Sequence, residues 1–149
     1  MNINFMEEAF KMAEIAYKSG EVPVGAVIVK DDSIIAIGYN CKEKNHSVLE
    51  HAELIAIKSA EKYLNNWRLD DCDIYVTLDP CPMCASAIKQ SRIKNVYSAL
   101  ENSDKNNSKI LSIIFASDNV NPSVHFISNI ASERSKKLLS LFFQNRREK

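Results

Sequence analysis

Residues 74–90 of the chain read IYVTLDPCPMCASAIKQ: a short apolar run, a turn that contains two prolines, and then a helical pattern. The run Ile74–Leu78 predicts a buried strand. Cys81–Gln90 predicts a helix, and Pro82 marks its start because a proline costs no hydrogen bond in the first turn. A strand that leads directly into a helix is typical of α/β proteins.

Helical and strand patterns continue on both sides of this stretch. The turn signal at residues 30–33 joins two apolar runs into a hairpin. Because both runs are apolar almost throughout, we expect both strands to be covered on both faces of a sheet. The polar residues 101–109 predict a loop. The other expected elements are helices Glu7–Lys18, His51–Tyr63, Lys109–Ala116 and Ser132–Arg146, and strands Val24–Val29, Ile34–Tyr39, Asn95–Ala99 and Val124–Ile127.

The order of these elements predicts an α/β three-layer sandwich, with helices on both sides of a mixed five-stranded sheet. The length of 149 residues, with 46% hydrophobic and 26% charged residues, suits a domain with one core. Neither a repeat nor a linker interrupts the pattern. We therefore expect a single domain over residues 1–149.

Charge and hydropathy exclude several classes of protein. The formal net charge is zero, so the whole chain lacks the basic character of many nucleic-acid-binding proteins, although a local patch is sufficient for RNA. No run approaches the roughly 20 apolar residues that cross a bilayer. The N-terminus lacks the basic start and apolar centre of a signal peptide. We expect a cytoplasmic protein that does not bind a membrane.

A second motif, His51-Ala52-Glu53, lies thirty positions before Cys81 and Cys84. Together the two motifs supply one imidazole, two thiols and one carboxylate. Zinc held by three protein ligands keeps a fourth position open for water, and a neighbouring carboxylate can then carry protons. The sequence predicts zinc on His51, Cys81 and Cys84, with Glu53 as the proton carrier. Both motifs start helices, so we expect the helix N-terminus to lower the pKa of both thiols.

The combination of His-x-Glu with Pro-Cys-x-x-Cys resembles the zinc-dependent nucleoside and nucleobase deaminases. Within them, the chain is most similar to the bacterial tRNA-specific adenosine deaminases. Residues 21–27 (EVPVGAV), 76–80 (VTLDP), 84–93 and the end of the chain from Leu141 to Arg147 carry this resemblance. After the fourth expected strand the chain departs from the family pattern, because residues 98–106 read SALENSDKN and contain no glycine.

The resemblance implies a cytidine deaminase-like fold, a homodimer, and one zinc ion per subunit. It implies that the wobble adenosine of a tRNA anticodon stem-loop is deaminated hydrolytically to inosine. A zinc-activated water would attack C6, and Glu53 would act as general acid and base. The residues that the resemblance assigns to substrate binding are Asn40 for the target nucleoside, Val22, Ala52 and Leu78 around the base, and Asn121 for RNA.

Other interpretations of the same residues remain open. The motifs are shared with deaminases of free guanine, cytosine or deoxycytidylate. Cys-Pro-x-Cys at a strand-to-helix turn is also found in thiol redox modules. A structural zinc would need a fourth ligand, for which the chain offers Cys41, Cys72, His46 and His125. A basic concentration near the end is either a solvated helix face or a tRNA contact, and it comprises Arg134, Lys136, Lys137, Arg146, Arg147 and Lys149.

Overall fold

The computed structural model describes residues 1–147 and contains one mixed five-stranded sheet in the order β2-β1-β3-β4-β5. Strand β1 is antiparallel to both of its neighbours, whereas β3, β4 and β5 run parallel. The elements are α1 (Ile3–Lys18), β1 (Gly25–Lys30), β2 (Ser33–Tyr39), α2 (Ala52–Leu64), β3 (Asp73–Val76), α3 (Pro82–Gln90), β4 (Asn95–Ser98), α4 (Lys105–Phe115), β5 (His125–Ile127) and α5 (Ser132–Arg147).

Two apolar clusters lie on opposite faces of the sheet. Alternate residues of β1 divide between them: Ala26 and Ile28 join the cluster that packs under α2, α3 and α4, whereas Val27 and Val29 pack against α1. The period-two alternation of a strand produces this division. The predicted three-layer α/β/α sandwich is therefore confirmed. In the part of the chain that the structure describes, no helix has the length and apolar character needed to cross a membrane.

The segments that carry the predicted site meet at one end of the strands. Because β1 is antiparallel to β2 and β3, the C-terminal ends of β2 and β3 lie beside the N-terminal end of β1. Helix α2 follows β2, and α3 follows β3. Both helices therefore begin at this end of the sheet, beside the loop that joins α1 to β1.

Gly38 allows α2 to approach β2 closely. A Cβ atom at this position would overlap the backbone carbonyl oxygen of Ala52, the first residue of α2. Only glycine leaves room for this contact. The first turn of α2 therefore lies directly on the strand that precedes it.

Two expectations about the elements are wrong. Strand β2 lies at the edge of the sheet, and 45% of Ile37 is exposed, so β2 is not covered on both faces. Helix α4 begins at Lys105, inside the predicted loop 101–109. Its start depends on Asp104, whose side chain accepts a hydrogen bond of 2.9 Å from the backbone N–H of Asn106. A capping residue of this kind can begin a helix among polar residues without an apolar pattern.

Candidate active site

The two cysteines lie where β3 turns into α3. Cys81 is the residue before the helix, with an extended backbone (φ −71°, ψ 168°), and Pro82 occupies the first helical position. The extended conformation agrees with the preference of residues that precede proline. Cys84 follows in the first turn and is fully buried. Both sulfur atoms are thus held by one helix start.

His51 and Glu53 occupy the equivalent position at α2. His51 precedes the helix with an extended backbone (φ −80°, ψ 149°), and Glu53 lies in the first turn with only 4% of its surface exposed. The side chain of Asn40 fixes this helix start. Its Oδ1 accepts a hydrogen bond of 2.9 Å from Ala52 N–H, and its Nδ2 donates one of 3.1 Å to the carbonyl oxygen of Val22.

The two helix starts bring three metal-ligating atoms together. Nδ1 of His51 lies 3.8 Å from the sulfur of Cys81 and 3.5 Å from that of Cys84. All three ligand atoms lie within 4.8 Å of one another. Tetrahedral zinc with ordinary bond lengths separates nitrogen from sulfur by about 3.6 Å and sulfur from sulfur by about 3.8 Å. The donor set and its spacing therefore fit zinc.

Among residues 1–147, this is also the one group that could hold a metal, and it contains three donors. Neither Cys41, Cys72, His46 nor His125 joins it. A three-donor group leaves a tetrahedral position for a further ligand, as in catalytic zinc sites, whereas structural sites close with four protein donors. The arrangement therefore favours the catalytic interpretation over the structural one.

The two thiols have opposite pKa shifts. A hydrogen bond from Cys84 lowers the pKa of Cys81 to about 4, and His51 contributes in the same direction. The same contact raises the pKa of the buried Cys84 thiol. The expectation that both pKa values fall is correct for Cys81 and wrong for Cys84, because two adjacent sulfurs share one proton more easily than they lose two.

Glu53 has the electrostatic character of a proton carrier. Burial raises the pKa of its carboxyl group to about 7, since the charged form loses its hydration. Nearby His51 lowers it in part. A carboxyl group with a pKa near neutrality can both accept and release a proton at the pH of the cell.

A cavity of about 410 Å³ opens above these residues, within the size range of small-molecule sites. Three of the predicted substrate residues, Val22, Asn40 and Leu78, line it together with His51, Glu53 and Cys81. The structure therefore brings these six residues to one site.

The other two predicted substrate residues, Ala52 and Asn121, are not part of the cavity lining. Ala52 is fully buried and outside the cavity lining, although its N–H holds Asn40. Asn121 is 5% exposed in the segment between α4 and β5, where its side-chain amide donates to Asp118. Among the described residues, its Oδ1 has no hydrogen-bond partner. The structure does not bring Asn121 to the cavity, and its RNA contact stays a prediction.

Several cavity residues were not predicted from the sequence. Glu21 and Asp79 belong to the quoted motifs, but no local signal assigns them a role. Asp79 is buried and accepts a hydrogen bond of 2.5 Å from the Ser128 hydroxyl, which ties the loop after β3 to the end of β5. The remaining lining residues include Val24, Lys42, Glu43, Asn102 and Arg146.

The basic residues near the end of the chain make different contacts. Arg146 lines the cavity. Arg134 forms ion pairs with Glu7 and Glu14 of α1, and Lys136 pairs with Glu133. Lys149 lies outside the described residues. Part of this concentration is therefore a paired helix surface, and among its described side chains Arg146 lines the cavity.

The sequence of the chain matches that of a known protein family. Residues 2–147 match the family model of the MafB19-like deaminases, and the chain belongs to this family. It is 37% identical to a tRNA-specific adenosine deaminase of Bacillus subtilis (strain 168) over 145 residues, which cover 97% of this chain and 90% of the relative.

Two solved structures are also similar. One, from work on A-to-I editing by tRNA:A34 deaminases at the wobble position of transfer RNA, has a TM-score of 0.85 and 33% identity, covering 93% of this chain and all of that one. The other is a guanine deaminase of Bacillus subtilis, with a TM-score of 0.66 and 33% identity, covering all of this chain and 96% of that one.

Proposed function

We propose that this deaminase converts the wobble adenosine of a tRNA anticodon stem-loop to inosine. The observation that carries the proposal is the three-donor group of His51, Cys81 and Cys84 beside the buried carboxyl of Glu53. The similarity over 97% of the chain to a tRNA-specific adenosine deaminase supports the choice of substrate. The reaction consumes one water and releases one ammonia for each adenosine.

Zinc is the metal that the donor set fits. When bound by His51, Cys81 and Cys84, it would supply a water of lowered pKa as the nucleophile. Glu53 would accept one proton of the attacking water and pass it to the ring nitrogen next to C6, and would then carry the second proton of that water to the departing amine, which leaves as ammonia. A carboxyl pKa of about 7 suits both transfers.

The cavity wall provides the contacts to the target nucleoside. Val22 and Leu78 offer apolar surface to a purine, and Asn40 lines the same cavity. The amide of Asn40 already bridges Val22 and Ala52, so its remaining hydrogen and lone pair are those available to substrate. Lys42 and Arg146 add positive charge to the lining and suit the phosphates of an RNA chain.

A second candidate is deamination of free guanine. The 33% identity to a guanine deaminase of Bacillus subtilis over the whole chain supports it. The cavity of about 410 Å³ would also accept a free base. A thiol redox module is less well supported, because it gives no role to the buried Glu53. A homodimer and a cytoplasmic location stay predictions.

The direct experiment incubates the purified protein with an anticodon stem-loop that carries adenosine at the wobble position, and measures inosine by mass spectrometry after nuclease digestion. Guanine and free adenosine serve as competing substrates in parallel reactions. Inosine in the RNA supports the proposal. Turnover of guanine with the RNA unchanged would favour the second candidate.

Glu53→Gln tests the proton carrier. We expect it to keep the fold and the metal and to lose turnover by about a thousandfold or more, because the amide can neither accept nor deliver the protons. Glu61→Gln, on the same helix but outside the cavity lining, is the matched control. Wild-type rates in Glu53→Gln would remove this residue from the mechanism.

A further inference from the structure

Glu21 is an acidic residue that the proposed chemistry does not use. It lies between α1 and β1, and only 2% of its surface is exposed. Its Oε1 accepts a hydrogen bond from the backbone N–H of Glu43 and its Oε2 one from that of Lys44, each 2.9 Å long. A buried carboxylate needs such partners, and charge-assisted hydrogen bonds of this kind are stronger than neutral ones.

The two amides belong to a closed loop, residues 41–50. A hydrogen bond of 3.0 Å from Cys41 N–H to the carbonyl oxygen of Glu50 joins the two ends of this loop. Inside the loop, Asn45 N–H donates to Cys41 and Ser47 N–H to Lys42. The N–H groups at the start of such a turn find no partner within it, as at the start of a helix. Glu21 supplies that partner from a distant part of the sequence.

This loop forms part of the cavity wall. It connects Asn40 to His51, and Lys42 and Glu43 line the cavity. Glu21 lines the cavity as well, so its carboxylate connects the segment between α1 and β1 to loop 41–50. The helix start that holds His51 is fixed separately, by Asn40. The metal-ligating group and the loop are therefore held by different contacts.

We propose that Glu21 is a positioning residue that fixes loop 41–50 and thereby directs Lys42 toward the phosphates of the RNA substrate. The inference rests on the proposed function, because this role of Lys42 requires a substrate that carries phosphates. Glu21 itself touches no reacting atom. Its loss affects RNA binding more than the chemical step, since His51, Glu53 and the cysteines keep their own supports.

Glu21→Gln is the variant that tests this role. Glutamine has the same shape, but its amide NH₂ would face one of the two N–H donors, so one hydrogen bond is replaced by repulsion. We expect KM for the stem-loop to rise about tenfold, as for the loss of one well-placed contact, with kcat within about twofold of wild type. Amide hydrogen exchange of Glu43 and Lys44 should accelerate in the same variant.

Lys42→Gln completes a double-mutant cycle. If Glu21 acts by directing Lys42, the double variant should have a KM no higher than the weaker-binding single variant. Ser47→Ala is the control, because its hydroxyl accepts only from Leu49 N–H within the loop. We expect this control to keep KM and the exchange rates of Glu43 and Lys44.

Three results with the variants would overturn the inference: an unchanged KM in Glu21→Gln, unchanged exchange at Glu43 and Lys44, or KM effects of Glu21→Gln and Lys42→Gln that multiply. Fluorescence anisotropy of the labelled stem-loop separates this inference from the proposed function. If the wild type binds RNA without forming inosine, the proposed reaction fails, and the same cycle is read from Kd. If the wild type binds no RNA, the role of Lys42 is refuted.

Discussion

Replacing Asn40 by alanine should reduce stability by a predictable amount. The side chain makes two hydrogen bonds, to Ala52 N–H at 2.9 Å and to the Val22 carbonyl at 3.1 Å. Each contributes about 0.5–1.5 kcal/mol net, so we expect Asn40→Ala to lower the free energy of unfolding by about 1–3 kcal/mol. In a chain of this length that corresponds to a fall of about 2–12 °C in Tm.

Asn40→Asp separates the two hydrogen bonds. A carboxylate still accepts from Ala52 N–H and lies favourably at the start of α2, but it cannot donate to Val22. We expect it to recover about half of the loss caused by alanine. The zinc affinity of Asn40→Ala should also fall, because Ala52 adjoins His51 and its N–H is no longer held.

Urea unfolding followed by circular dichroism, at matched metal content, measures the free energies. Asn66→Ala is the control, because Asn66 accepts one hydrogen bond from Arg68 N–H in an exposed turn. If Asn40→Ala were no more destabilising than Asn66→Ala, the bridge would contribute no more than one hydrogen bond in an exposed turn. The conclusion that Asn40 fixes the start of α2 would then be wrong.

Two other variants test the metal group and the pH dependence of stability. Cys84→Ala should lose bound zinc in plasma mass spectrometry, whereas the buried Cys72→Ala should retain about one ion per chain; a fully loaded Cys84→Ala would require another ligand. The backbone N–H of Asn121, more than the amine of Lys89, holds the pKa of Asp118 below its ordinary value of 3.8. Its charged form therefore stabilises the fold above that pH, and the Tm difference between wild type and Asp118→Asn should shrink below about pH 4. A difference that grew on acidification would contradict this sign.

The sequence predicts the starts of α2 and α3 well, because their signals are local. Pro82 marks one helix, and the apolar pattern after His51 marks the other, so the positions of Cys81, Cys84 and Glu53 follow from short stretches of chain. The order of the elements is sufficient to predict the three layers, because strands that alternate with helices can bury their apolar faces in few ways.

Long-range contacts account for what the sequence does not predict. Glu21 binds amides more than twenty positions away, and such a contact leaves no pattern near either partner. The position of β2 at the sheet edge depends on strand order, which apolar composition alone does not specify. Likewise, the raised pKa of Cys84 depends on how close Cys81 lies. The burial of Asn121 depends on how the segment after α4 folds back onto Asp118.

The position of β2 has a consequence for the motions of the molecule. His51 lies at the start of α2, which packs on β2, an edge strand with a hydrogen-bonded neighbour on one side only. Cys81 and Cys84 follow β3, which has a neighbour on each side. Outer strands separate from a sheet at lower free energy than inner ones. When the fold opens transiently, we therefore expect the part of the site that carries His51 to separate before the part that carries the two cysteines. Gly38 opposes that separation, because it lets α2 pack directly on β2 with no side chain between them.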